Sequence, residues 1–321
     1  MNKAIFLDLS TIGPDELSLS ALEELPLAWE FYPSTTTVEL DDRIKDAEII
    51  VTNKCGLNAD ALSYASKLKY LCAAATGFNH IDIDAANAKA IAVSNVRGYA
   101  TPSVVQHVYA LILALSTKLM NYSSAVHNGD WQRSKNFCLL DYPVEEIAGK
   151  TLGIIGYGTL GKSVAKVAPA LGLRVLICQH LQGQQDTNRL ELEDLLACAD
   201  ILTIHLPLNE QTRNLIGEHE LSLMKPDALL INTARGGIVD EKALADALKQ
   251  KHIGGAGIDV LTTEPPVDGN PLLEANFPNL IITPHIAWAS RQSRQRLVDQ
   301  IADNIRSYLA GEIANRVGQT L

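Results

Sequence analysis

The chain has 321 residues, 47% of them hydrophobic and 20% charged, the balance of a soluble globular protein long enough for two separate cores. Its 27 basic and 37 acidic residues leave a formal net charge of −10, which excludes the basic face that nucleic acid or an anionic membrane requires. No apolar stretch is long enough to span a bilayer, and the apolar run Ala4-Ile5-Phe6-Leu7 is too short for a signal-peptide core.

Five scattered cysteines (Cys55, Cys72, Cys138, Cys178 and Cys198) contain no CxxC pair, which points to a reducing cytoplasm, with no disulfide framework and no metal site. Cys55 stands apart because it sits in a polar loop, Asn53-Lys54-Cys55-Gly56.

Short apolar runs at residues 4–9, 29–32, 48–52, 70–75 and 91–95 read as strands, and residues 17–25, 41–45, 58–66 and 84–89 read as the helices between them. This βα alternation predicts a parallel sheet covered on both faces. Thr101-Pro102-Ser103 then opens one long apolar helix predicted to run to about Val126, with Pro102 suited to its first turn. A polar region, 128–143, follows, in which Trp131 reads as a packing anchor between domains or subunits.

Residues 151–155 form another apolar strand, and directly after it comes Gly156-Tyr157-Gly158-Thr159-Leu160-Gly161. A helical pattern over 162–171 completes the order strand, glycine turn, helix, which is the dinucleotide-binding fingerprint. The first glycine permits the tight turn, the second lets the backbone approach a pyrophosphate, and the third lets helix and strand pack closely. The helix N-terminus supplies N–H groups and a positive dipole end. Pro169 is expected to kink this helix near its far end. Strands at 174–178, 200–205, 228–232, 255–259 and 279–283 continue the alternation to six, and a last helix spans 290–310. The predicted fold is α/β with two doubly wound parallel-sheet domains. A Rossmann cofactor domain (100–288) is inserted in a flavodoxin-like substrate domain (1–99 with 289–321).

Three segments at C-terminal strand ends, where open α/β sheets bind ligands, carry chemistry. Ile231-Asn232-Thr233-Ala234-Arg235-Gly236-Gly237 places an arginine after one strand, and Asp259-Val260-Leu261-Thr262-Thr263-Glu264-Pro265-Pro266 places acids after the next. Thr283-Pro284-His285-Ile286-Ala287-Trp288 places a histidine after the last. In this order, and together with the glycine turn, these motifs resemble the D-2-hydroxyacid dehydrogenase family over nearly the whole chain, and most of all its glycerate dehydrogenase (hydroxypyruvate reductase) branch.

The resemblance implies an NAD(P)-dependent oxidoreductase that interconverts a small 2-oxo acid and its D-2-hydroxy acid, hydroxypyruvate or glyoxylate with D-glycerate or glycolate. It implies that Arg235 binds the substrate carboxylate and polarises the carbonyl, His285 is the acid/base, and Glu264 hydrogen-bonds that imidazole. It assigns Ala75, Thr76, Gly77 and Trp288 to the substrate as well. To the cofactor it assigns Gly156, Gly158, Thr159, Leu160, Gly161, Gln179, His205, Pro207, Thr233, Ala234, Arg235, Asp259 and His285. A homodimer is implied too.

The residue types suit the reaction. A guanidinium is a permanent planar fork for a carboxylate, and an imidazole titrates near neutrality. A buried carboxylate on its second nitrogen is expected to raise its pKa and fix its tautomer. A formate-type reaction needs no such pair, so Glu264 argues against it. The remaining alternatives are another D-2-hydroxyacid specificity and a non-catalytic NAD(H)-sensing regulator. NAD-selective folds carry an acid at the end of the second strand, but here that position is Gln179, followed by His180, with Arg189 ten residues on. The family favours NAD(H), and NADP(H) stays open.

Overall fold

The computed structural model describes residues 2–180, 186–274 and 276–318. The chain divides into two compact units, Met1–Ala100 with Trp288–Leu321, and Thr101–Ala287.

In the first unit β1 (Asn2–Phe6), α1 (Ser20–Glu23), β2 (Leu27–Phe31), α2 (Thr37–Ile44), β3 (Ile49–Thr52), α3 (Ala59–Tyr64), β4 (Tyr70–Ala73), α4 (Ile83–Ala88) and β5 (Ala92–Ser94) alternate. The five strands form a parallel sheet in the order β2-β1-β3-β4-β5. Successive strand residues serve opposite cores. Phe6, Val51 and Cys72 pack with Leu22 and with the last helix of the chain, whereas Ile5, Ile50 and Leu71 pack with Leu40, Leu62 and Ala86 of α2, α3 and α4. Burial on both faces explains why these strands read as continuous apolar runs. The helix expected at 41–45 begins earlier, at Thr37, because the Glu39 carboxylate accepts the Thr36 N–H at 2.9 Å and so closes the first turn. The one expected at 17–25 shrinks to α1, after 3₁₀ turns at Leu9–Ile12 and Pro14–Glu16.

The second unit holds α5 (Thr101–Ser116), α6 (Leu119–His127), α7 (Asp130–Arg133), β6 (Thr151–Ile155), α8 (Thr159–Val167), β7 (Arg174–Ile177), α9 (Leu192–Cys198), β8 (Ile201–Ile204), α10 (Glu218–Leu223), β9 (Leu229–Asn232), α11 (Glu241–Lys249), β10 (Gly255–Ile258) and β11 (Leu280–Ile282). Among the described residues its sheet has six parallel strands in the order β11-β10-β9-β8-β6-β7. Beyond β7 an isolated parallel bridge joins Cys178 to Leu190. Ala256 and Ile258 face the core shared with Leu195, Leu221 and Leu244 of α9, α10 and α11. On the opposite face a Cβ on Gly257 would stand 3.0 Å from Leu111, so β10 and α5 approach closely there. α12 (Arg291–Leu309) returns to the first unit and buries Leu297, Val298, Ile301, Ala302 and Ile305 at helical spacing.

The single helix predicted from Thr101 to about Val126 is two helices, α5 and α6, bent by 62°. Lys118 between them is left-handed at φ 53°, which ends the hydrogen-bond ladder of α5. No single helix among the described residues is long and apolar enough to cross a membrane. Pro169 acts as expected, since α8 gives way to a 3₁₀ turn at Ala168–Leu171.

The fingerprint glycines differ in what constrains them. A Cβ on Gly161 would lie 2.1 Å from the Gly156 carbonyl oxygen, whereas one on Gly158 would meet nothing within 4 Å. Gly161→Ala is therefore expected to cost about 3 kcal/mol in urea unfolding, and Gly158→Ala less than about 0.5 kcal/mol. Equal stabilities for the two variants would contradict this geometry.

Candidate active site

Arg235 stands on the turn that ends β9. Asn232 ties that turn by accepting the Ala234 N–H through Oδ1 (3.0 Å) and donating to the Arg235 carbonyl through Nδ2 (2.9 Å). Arg235 itself is exposed, with Nη1 donating to the Ala234 carbonyl at 2.6 Å. The turn lies directly on the next loop, since a Cβ on Gly236 would be 2.0 Å from the Leu261 carbonyl carbon. That loop, after β10, carries Glu264. Its Oε1 accepts the Leu261 N–H at 2.8 Å, and its Oε2 is 2.5 Å from His285 Nδ1. The predicted pair thus forms, but with an exposed carboxylate in place of the buried one expected. With Nδ1 held by Glu264, the geometry assigns a proton to Nδ1.

His285 sits on the loop after β11 at φ 54°, a left-handed conformation uncommon for a residue with a side chain. Asp259, expected at the cofactor, holds that loop. Its enclosed carboxylate accepts the N–H groups of Ile286 and Ala287, both at 2.9 Å, and the Thr283 hydroxyl at 2.5 Å. Its carbonyl accepts the His285 N–H at 2.8 Å. His107 joins this network from α5, with Nε2 2.9 Å from Thr283 Oγ1 and 3.5 Å from Asp259 Oδ1. Nothing in the sequence links it to residues more than 150 positions away.

The glycine turn is shaped by the strand beside it. Gly156 has φ 91°, and a Cβ there would stand 2.5 Å from the His205 carbonyl oxygen. His205 was expected to line the cofactor, but its Nδ1 is enclosed without a hydrogen-bond partner among the described residues and its Nε2 meets Thr203 Oγ1 at 3.1 Å. Its backbone is what shapes the glycine turn. Thr233 and Ala234, at the end of β9, are buried, and the Thr233 hydroxyl also lacks a partner among the described residues. Gly156, Gln179, His180 and Pro207 line one pocket. Arg189, which sequence distance seemed to remove from Gln179, lines it with them.

In the first unit the turn after β4 carries Ala75, Thr76 and Gly77. Two of their carbonyls and the Thr76 side chain are tied down: the Ala75 carbonyl accepts Val96 N–H, the Thr76 hydroxyl donates to the Val96 carbonyl (2.9 Å), and Asn95 Nδ2 donates to the Thr76 carbonyl (2.7 Å). Their three N–H groups donate to no group among the described residues. The neighbouring loop is held by buried Asp8, whose carboxylate accepts the N–H groups of Asn53, Lys54 and Cys55 at 2.9, 2.6 and 2.8 Å. Burial, and next the Asp8 charge, push the Cys55 thiol up to about 11, so Cys55 is an inert thiol. Trp288 packs edge-on against Tyr99 at 6.4 Å.

Residues 109–287 match the family model for the D-isomer specific 2-hydroxyacid dehydrogenase NAD-binding domain. A glycerate dehydrogenase of Methylorubrum extorquens is 46% identical over 98% of both chains. The chain belongs to the D-2-hydroxyacid dehydrogenase family. Among solved structures, a D-lactate dehydrogenase of Aquifex aeolicus, complexed with NAD and lactic acid, aligns with a TM-score of 0.83 at 28% identity, covering 99% of this chain and 100% of that one. An NADPH-dependent glyoxylate/hydroxypyruvate reductase of Sinorhizobium meliloti aligns with a TM-score of 0.83 at 25% identity, covering 99% and 98%.

This D-2-hydroxyacid dehydrogenase fits a bound dinucleotide by its own geometry. The space over Gly158 is open, the first turn of α8 has no acidic residue to repel phosphate, and the buried Thr233 hydroxyl awaits a partner.

Burial of His205 pushes its imidazole from the ordinary 6.5 down to about 4. The unfolded chain therefore takes up a proton that the folded one refuses. Stability from this source is complete above about pH 6.5 and declines as pH falls from 6.5 towards 4. The urea midpoint of the wild type should drop over that window, and His205→Gln should flatten the drop. Identical pH slopes would remove His205 as the cause.

Proposed function

We propose that this enzyme interconverts hydroxypyruvate or glyoxylate with D-glycerate or glycolate. The contact between His285 Nδ1 and Glu264, beside the Arg235 turn, carries the reading. The likeness to a glycerate dehydrogenase along the whole chain supports the substrate class.

A nicotinamide cofactor, when held there, would supply the hydride for the carbonyl carbon. Arg235 binds the carboxylate and draws electron density toward the carbonyl oxygen. His285 delivers its Nε2 proton to that oxygen, or removes it in the reverse direction. Glu264 holds the productive tautomer and stabilises the imidazolium. In the first unit, the unengaged N–H groups of Ala75, Thr76 and Gly77 are assigned to the substrate carboxylate, and Trp288 to the substrate pocket.

Gly156, Gly158, Thr159, Leu160 and Gly161 hold the pyrophosphate. Gln179 and Pro207 take the adenosine end, and Thr233, Ala234, Arg235 and His285 the nicotinamide end. His205 serves through its backbone, and Asp259 through the loop it anchors.

The enzyme is assigned to the cytoplasm, in keeping with its five free cysteines. It is read as a homodimer, supported by the exposed apolar side chains Leu119, Met120, Trp131, Phe137 and Leu140, which form a stretch that a second copy would cover.

NAD(P)H oxidation with hydroxypyruvate, glyoxylate, pyruvate and 2-oxoglutarate tests the assignment, and the first two should give the highest kcat/KM. Faster turnover of pyruvate or 2-oxoglutarate would overturn it. His285→Ala should lower kcat by about 10²- to 10⁴-fold while cofactor affinity stays within twofold. Arg235→Lys should raise KM and lower kcat together, because an ammonium lacks the planar fork.

A further inference from the structure

At the ribose end of the pocket, the residue in the acid position, Gln179, is already engaged. Its Nε2 donates to the Asp186 carbonyl at 2.8 Å, and its Oε1 accepts the Asp186 N–H at 3.1 Å. The oxygen that would receive a ribose 2′-hydroxyl thus already spends one of its two lone pairs on the protein's own backbone. No carboxylate replaces it in the wall formed by Gly156, Tyr157, Gln179, His180, Arg189 and Pro207.

Arg189 reaches that wall through backbone pairing. The Gln179 N–H donates to the Leu190 carbonyl at 2.7 Å and the Leu190 N–H to the Ile177 carbonyl at 2.9 Å, so the chain returns alongside the end of β7. The Arg189 side chain is only 14% exposed, and its Nε lies 3.3 Å from Asp186 Oδ2. Its Cζ stands 5.6 Å from the centre of the Tyr157 ring, and Lys162 Nζ lies 6.0 Å from the same ring. Nη1 and Nη2 form no hydrogen bond among the described residues, which leaves the outer side of the fork for an incoming anion.

The acid beside Arg189, Asp186, also accepts the Asn188 N–H at 2.9 Å, so it has a partner when the guanidinium turns to a phosphate. A largely buried guanidinium beside a tyrosine ring is the group that holds a dianionic phosphate by two parallel hydrogen bonds.

We propose that Arg189 makes the ribose end of this pocket selective for a 2′-phosphorylated nicotinamide cofactor, so that the enzyme prefers NADP(H) to NAD(H). The proposal rests on the pocket being the adenosine end of the dinucleotide site, and it is independent of which 2-oxo acid is reduced.

The test is binding without substrate, read from the fluorescence of the dihydronicotinamide. Wild-type enzyme should bind NADPH about tenfold or more tightly than NADH. Arg189→Leu should weaken NADPH roughly 10- to 100-fold and change NADH less than twofold. Arg189→Lys, which keeps the charge and loses the fork, should fall between. In competition, 2′,5′-ADP should displace NADPH from the wild type more strongly than 5′-AMP and lose that advantage in Arg189→Leu. Thermal unfolding of the variants separates loss of binding from loss of fold, and NADH affinity in the same samples serves as the internal control. Equal or tighter NADH binding by the wild type would overturn the assignment, as would parallel weakening of both cofactors by Arg189→Leu. Failure to turn over hydroxypyruvate or glyoxylate would bear on the substrate and leave this result in place.

Discussion

Asp259 carries a carboxylate taken wholly out of water at the end of β10, and the shape of the reacting region follows from how that group is satisfied. An enclosed carboxylate is tolerable only where donors converge on it. Here they are the hydroxyl of Thr283 and the N–H groups of Ile286 and Ala287, all from the segment that follows β11. Meeting that demand pulls the segment over the strand end. It sets His285 in a left-handed conformation and turns its Nδ1 to Glu264. The residue with the smallest direct part in the chemistry therefore decides where the acid/base stands.

Asp8 plays the same part in the first unit. It too follows a strand and is buried, and it gathers the consecutive N–H groups of Asn53, Lys54 and Cys55. Functional loops at strand ends cannot be held by a ladder, because the strands have ended, and they are too short for cores of their own. A buried acid that spends its lone pairs on successive amides replaces both forms of support. The uncommitted amides of Ala75, Thr76 and Gly77 are the complement of this arrangement, an acceptor-hungry turn beside a loop whose amides are paired.

The cofactor region combines one rigid end with one adaptable end. Around Gly156 and Gly161 the backbone approaches so closely that no side chain fits, so the phosphate end is set by hard contacts. At the ribose end the determinants are side chains at the end of β7 and on the segment that returns beside it: Gln179 tied to Asp186, and Arg189 beside Tyr157. Contacts of this second kind are exchanged by substitution without disturbing the sheet, and so cofactor preference can vary on a constant scaffold.

The sequence by itself determined the βα rhythm, the position of every strand in both sheets, the glycine turn, and the ordered stations of Arg235, Glu264 and His285. Each of these rests on local periodicity or on a contiguous motif, and a parallel sheet buried on both faces writes that information plainly into its apolar runs. The break at Lys118 was not legible, since the apolar pattern continues through it and only the left-handed backbone ends the helix. Nor was the early start of α2, which a single side-chain contact at Thr36 decides. The burial of Asp259, the enclosure of His205, the role of His107 and the arrival of Arg189 beside Gln179 belong to the tertiary structure alone. Each depends on which strand ends lie side by side, and adjacency in a sheet brings together residues that a linear pattern keeps ten, or more than a hundred, positions apart.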